Sequence, residues 1–161
     1  MAASGAPLAE IEQVYRDRGR DFFRLAYART GDVHAARDVV QEGFARAVRG
    51  RHLYRRSGSL DAWIARCVIN AARDEARRRD APDERGDVEA AADEPGVDAA
   101  IVRDAVRRLP QRQRDALFLR FYLSFDYASI AETLGIAVGT VSATLHAARE
   151  SLAELLQEVT G

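Results

Sequence analysis

Arg66, Asn70, Arg73 and Arg77 recur at i, i+4, i+7 and i+11. On a helix of 3.6 residues per turn they fall within roughly 60° of one another. Three guanidinium groups and one amide then form a stripe opposite Trp63 and Cys67, and Arg78 and Arg79 extend its basic end. Guanidinium forks suit phosphate oxygens and an amide can pair with a base edge. Such a stripe could follow a nucleic-acid strand and read one base. It fits equally a solvated face whose arginines stabilise a helix C-terminus.

A second constellation is DYASIAETLGIAVGTVSATLHAAR, residues 126–149. Asp126 is a good N-cap, Ala131 is small enough for two helices to cross closely, and Gly135 supplies a left-handed residue that releases the first helix. Ile130, Leu134, Val141 and Leu145 form the shared core. Thr140, Ser142, Ala143, Thr144 and Ala147 then face outward from the first turns of the second helix, the part that enters a major groove in helix-turn-helix readers. The pattern also fits a helical hairpin in any small bundle. Its second helix carries one arginine, Arg149, which is little charge for a protein that grips DNA alone.

The third constellation is DVVQEGFARAVR. Asp38, Gln41, Glu42 and Ala45 share one outer face. Asp38 and Glu42 repel at i, i+4, a strain that a basic partner surface would relieve, whereas Glu42 with Arg46 is a favourable pair within the helix. Catalytic patterns are absent. No Gly-rich phosphate loop, nucleophile elbow, HExxH or Cys/His pair occurs, and the acids lie on polar faces. We expect no enzymatic activity, no cofactor and no metal site. Cys67 sits at an apolar helical position, and His34, His52 and His146 have no metal-ligand spacing.

The elements that carry these groups are all helical; strand alternation and hairpin turns are missing. The chain has 161 residues, a net charge of −1 and 24 basic residues, every one arginine. That near-neutrality hides an asymmetry. Residues 1–80 carry +5, residues 81–98 carry −6 and residues 99–161 are neutral. The acidic stretch, with two prolines and two glycines and little to bury, reads as a flexible linker. We therefore expect an all-α protein of two small helical domains, 1–80 and 99–161, loosely tethered through 81–98. Predicted helices cover about 8–29 with a break near Gly19, then 33–49, 60–79, 98–109, 111–123, 126–134 and 138–159. No apolar run approaches a membrane span and no basic-then-apolar leader opens the chain. A cytoplasmic protein without membrane insertion is expected.

Taken together, the three stretches resemble the extracytoplasmic-function (ECF) group of bacterial sigma factors, the initiation subunits of RNA polymerase. DVVQEGFARAVR is similar to the family's polymerase-binding helix. WIARCVINAARDEARRR, residues 63–79, is similar to its −10 reading helix, keeping Trp63, Arg66, Asn70, Asp74 and Arg77 in step. LPQRQRDALFLRFYLSFDYASIAETLGIAVGTVSATLHAARESL is similar to its −35 reading domain. The order of the three motifs covers nearly the whole chain.

The resemblance implies a sigma2-like domain and a sigma4-like helix-turn-helix domain. It implies polymerase docking through Asp38, Gln41, Glu42 and Arg46 on the clamp helices of the largest subunit, with the flap of the second-largest subunit as a further contact. Phe44 should be buried in the domain itself. The loop 54–59 and Asn70 would hold a flipped-out base of the −10 element. Tyr54, Arg55, Ser57, Arg66, Asn70, Arg73 and Arg77 are the −10 candidates, with Trp63 in the core. Arg112, Arg120, Thr140, Ser142, Thr144, His146 and Arg149 are the −35 candidates, and Arg114 is a further phosphate contact. Promoter DNA and core polymerase are the implied partners, an anti-sigma factor is a further one, and the free chain is expected to be a monomer.

The sequence departs from the family at Ser142, Thr144 and Ala147, where basic residues are usual. It also departs at Ala137, where a capping serine is usual, and at Ile69 beside Asn70. A subunit carried by polymerase can afford so weakly charged a reading helix, because the larger machine supplies attraction to the backbone. Two other readings stand beside this one: a free-standing helix-turn-helix regulator, which would bind duplex steeply with salt, and a protein-interaction module.

Overall fold

The computed structural model describes residues 5–79 and 97–161. Among the described residues there are seven α-helices and no strand. They are α1 (Leu8–Thr30), α2 (Val33–Arg49), α3 (Leu60–Arg79), α4 (Val97–Arg107), α5 (Gln111–Phe121), α6 (Tyr127–Leu134) and α7 (Val138–Thr160), with a 3₁₀ turn at Arg51–Leu53. Most of the expected linker lies outside the described residues. Val97 and Asp98, read from sequence as its end, already belong to α4.

Local chemistry explains the boundaries. The Asp32 side chain accepts a hydrogen bond from the Ala35 N–H at 2.8 Å and starts α2. Asp126 does the same for Ser129 at 2.7 Å and starts α6. Gly135, at φ 67°, closes α6 through its N–H to the Ala131 carbonyl, a conformation that strains any residue with a Cβ. α7 opens at Ala137 with no side-chain cap. The expected break near Gly19 is absent. Nothing lies within 4 Å of a Cβ built there, and a lone glycine costs about 1 kcal/mol, which a long helix buried at Ile11, Phe22, Leu25 and Ala26 tolerates.

α1, α2 and α3 enclose one part of the core, with Ile11, Phe22, Leu25, Ile64, Val68 and Ile69 excluded from solvent. The ring of Phe44 stands edge-on to Phe22 at 5.5 Å and to Tyr15 at 5.0 Å. Phe44 is thus buried in its own domain, and Cys67 is half-buried, its thiol pushed up by that burial. α2 and α3 cross closely at Gly43, where a Cβ would meet Val68 Cγ2 at 2.6 Å and its Cα at 2.7 Å. In the C-terminal half, Leu119, Leu123, Ile130, Val141 and Leu145 are fully buried between α5, α6 and α7.

The two halves are in contact. Their buried residues form one continuous cluster. Thr133 of α6 donates to the Ala62 carbonyl of α3 at 3.2 Å in a buried contact. Arg29 of α1 pairs with Asp115 of α5 at 2.8 Å, with both side chains nearly closed off from solvent. Arg18 pairs with Asp61 at 2.9 Å and also donates to the Leu123 carbonyl. The sequence shows each half's own apolar stripe; it does not show that polar groups of one match carbonyls and acids of the other.

No single helix among the described residues is long and apolar enough to cross a membrane. α6 and α7 together have the apolarity, but they bend by 98° and turn Ile130, Val141 and Leu145 into the core.

Candidate nucleic-acid and partner interfaces

α3 presents Arg66, Asn70, Arg73 and Arg77 to solvent along one edge, while Ala65, Val68, Ile69 and Ala72 face inward. The helical register thus separates the polar stripe from the core. Trp63 is half-buried, its ring 5.7 Å from that of Tyr54. Ile69, beside Asn70, is fully buried, which explains why an apolar residue can stand there.

The loop before α3 differs from expectation at Tyr54. Its ring is 7 % exposed and its hydroxyl donates to the Gly58 carbonyl at 2.6 Å. Burial pushes its phenol up. In this arrangement Tyr54 anchors the loop and offers no open face for a base. Local spacing places this aromatic in a loop, while the Trp63 ring packed beside it comes from α3. Arg55 and Ser57 are exposed on the same loop. Arg56, at φ 54°, reaches back to the Gly5 carbonyl at 3.3 Å and to Glu10 at 3.4 Å.

On α2, Asp38 and Gln41 are exposed and Glu42 is half-buried. Glu42 accepts from Arg46 at 3.1 Å and from Arg49 at 3.0 Å. Those two guanidinium groups, Arg46 first, hold its carboxyl below the usual range. Arg46 also reaches α3, 2.8 Å from Asp74, and the hydrogen bonds to Asp74 and then Glu42 raise its pKa. Arg46 is therefore a strut between two helices rather than a free basic contact. Asp74, read from sequence only as part of a motif, is its second support. A charged cleft of about 560 Å³ opens between α2 and α3, lined by Asp38, Glu42, Arg46, Asp74, Glu75 and Arg78.

In the C-terminal half, Thr140, Ser142, His146 and Arg149 lie on the exposed face of α7, and Thr144 is half-buried. Two of these are partly committed. The Thr144 hydroxyl donates to the Thr140 carbonyl at 2.7 Å, and His146 Nε2 lies 3.2 Å from Glu150. Arg112 is exposed. Arg120 donates to the Phe125 carbonyl at 2.9 Å and lies over the Tyr127 ring, so it ties the α5–α6 turn. Arg114 is 5 % exposed and donates to Gln111 at 2.9 Å, which removes it from the set of phosphate contacts. Its position in QRQRDAL gives no sign of that, since Gln111, Arg112, Gln113 and Asp115 around it are polar as well.

Comparison with known proteins places both halves. Residues 14–81 match the Sigma-70 region 2 family and residues 99–152 match the Sigma-70 region 4 family. The chain is 35 % identical over 152 residues to the ECF RNA polymerase sigma factor SigM of Mycobacterium tuberculosis, covering 91 % of this chain and 76 % of the relative. It is 28 % identical over 171 residues to the ECF RNA polymerase sigma factor SigW of Bacillus subtilis, covering 94 % and 89 %. In fold it is similar to the sigma factor RpoE co-crystallised with the anti-sigma factor NepR from Bartonella quintana. That match has a TM-score of 0.79 and 22 % identity and covers 93 % of this chain and 98 % of that one. CnrH, in complex with the cytosolic domain of CnrY, matches with a TM-score of 0.74 and 21 % identity over 95 % and 91 %.

Proposed function

Because this chain belongs to the ECF RNA polymerase sigma factors, proteins that direct promoter-specific transcription initiation, we propose that its two halves divide the promoter between them. Residues 1–80 form the unit that docks on polymerase and reads the −10 element. Residues 99–161 form the unit that reads the −35 element, and 81–98 join them. Sigma factors are initiation factors rather than catalysts, and the chain acts in the cytoplasm, where the polymerase is.

The observation that carries this reading is the exposed stripe Arg66, Asn70, Arg73 and Arg77 on α3, beside an acidic and amide-bearing face on α2. The three arginines hold the backbone and Asn70 reads a base edge. Arg55 and Ser57 border the same place. The base pocket then rests on Asn70 and the loop 54–59, which Tyr54 anchors from beneath. Asp38, Gln41 and Glu42 meet the clamp helices of the largest polymerase subunit, with Arg46 holding Glu42 in place. In the second half Thr140, Ser142, Thr144 and His146 give base contacts, with Arg112 and Arg149 on phosphates. The flap of the second-largest subunit is a further contact.

RpoE is held by an anti-sigma factor in the structure named above, which supports an anti-sigma factor as a partner of this chain. Run-off transcription from genomic promoters with reconstituted polymerase tests the reading. Wild-type protein directs initiation, and the combined substitution Asp38→Ala, Gln41→Ala, Glu42→Ala abolishes both assembly and transcripts. Undiminished transcription by that variant would overturn the docking assignment.

A further inference from the structure

The residues just ahead of α1 tie that helix to the loop before α3. Pro7 precedes α1 in an extended conformation, and its carbonyl accepts from the Glu10 N–H at 3.0 Å. A residue before proline favours extended backbone, so the chain meets α1 as a short strap. The Ala6 N–H donates to the Arg51 carbonyl at 2.9 Å, and the Gly5 N–H donates to the Tyr54 carbonyl at 2.9 Å. The Gly5 carbonyl in turn accepts from Arg56 Nε at 3.3 Å. Gly5 therefore holds the residues on both sides of Arg55, whose own side chain stays exposed. Gly5 and Ala6 are both buried, which shields these bonds from water. Gly5 also lies at φ 106°, and a Cβ there would come within 3.1 Å of the Arg51 carbonyl oxygen and the His52 Cα. Both neighbours are backbone, so a larger residue displaces the strap. The Arg56–Glu10 pair, at 3.4 Å, is open to solvent and adds little by comparison.

We propose that Gly5 is a positioning residue for promoter selectivity: bonded to Tyr54 and Arg56, it holds the loop 54–59 in one conformation, so that Arg55 and Ser57 meet the −10 strand already ordered. This rests on the reading that the loop and Asn70 contact the −10 element. A loop ordered before binding loses less conformational freedom when the strand arrives. Its groups also stay within the roughly half an ångström that a selective site requires. The Tyr54 hydroxyl, bonded to the Gly58 carbonyl, passes the constraint across the loop to the residues beyond Arg56. The −10 candidates all lie between Tyr54 and Arg77, so the role of Gly5 is separate from theirs. It acts through the loop backbone.

The test uses the full chain with Gly5→Ala, which drives a Cβ into the backbone of Arg51 and His52 and releases the strap. Hydrogen exchange of the free variant should speed up about tenfold over residues 51–58, while α2 and α3 keep wild-type protection. In the holoenzyme, run-off transcription from single-base promoter variants should show selectivity at the −10 positions reduced about fivefold. Selectivity at −35 and assembly with polymerase should stay at wild-type levels. A protein that is merely less stable would instead lose all promoters alike. Should circular dichroism show lost helicity, Ala6→Pro, which removes the donor to Arg51, takes its place with the same readouts. Unchanged exchange over 51–58 overturns the proposal. So does wild-type −10 selectivity in a variant whose loop exchanges faster, provided Asn70→Ala relaxes that selectivity in the same assay. If Asn70→Ala also leaves it at the wild-type level, the promoter reading beneath fails and the selectivity role of Gly5 falls with it; the exchange result still decides whether Gly5 holds the loop.

Discussion

Gly43 of α2 lies directly against Val68 of α3, with no room for one more carbon: a Cβ there would come within 2.7 Å of the Val68 Cα. The neighbour is backbone, so it cannot swing aside. Gly43→Ala therefore forces α2 and α3 apart and destabilises the N-terminal half by about 1–3 kcal/mol, the usual cost of overpacking. Thermal unfolding followed by circular dichroism checks this, with Gly19→Ala as the contrast. Gly19 faces open space, and alanine there should raise stability slightly.

Asn70→Ala should relax discrimination at one −10 base. The loss should be about 1–3 kcal/mol against the preferred base and near zero against the others. Arg73→Ala should weaken all promoters alike and flatten the dependence of affinity on salt. Run-off assays on a set of single-base promoter variants separate the two patterns. A uniform loss from Asn70→Ala would remove its base-reading role.

Arg46 joins Glu42 and Asp74 at 3.1 and 2.8 Å. Asp74→Asn should thus weaken polymerase assembly several-fold although Asp74 lies off the outer face of α2, because Arg46 and then Glu42 lose their support. Native-gel titration of core polymerase measures it. Equal assembly by Asp74→Asn and wild type would show that Glu42 is positioned by Arg49 alone.

The caps give a pH signature. Backbone N–H groups of Ala35 and Ser129 lower the carboxyls of Asp32 and Asp126 below their ordinary values. A group depressed in the folded state adds stability above its unfolded value, about 3.9, and that contribution fades as pH falls towards the lower folded value. Helicity at 222 nm should therefore decline on acidification below about pH 4. Asp32→Asn and Asp126→Asn should shrink that part of the decline, since asparagine caps without titrating.

Much of this was legible in the amino-acid order. The N-caps Asp32 and Asp126, the turn at Gly135 and the stripe on α3 announce themselves through local rules, in which each residue acts on neighbours three or four away. Tyr54, Arg114 and Arg120 share one feature that spacing hides. Each is occupied by a backbone carbonyl or a side chain that local spacing does not reveal: Gly58, Gln111 and Phe125. The closure of one half on the other was illegible for a stronger reason. Arg29 and Asp115 are 86 positions apart, and neither looks different from any surface charge.

The paired guanidinium groups on Glu42 carry one more implication. On the proposed docking face Glu42 is already matched by Arg46 and Arg49, which leaves Asp38 as its one unmatched carboxylate and little pull at a distance. Holoenzyme formation would then depend on close shape agreement instead of long-range steering, and its rate would change little with ionic strength.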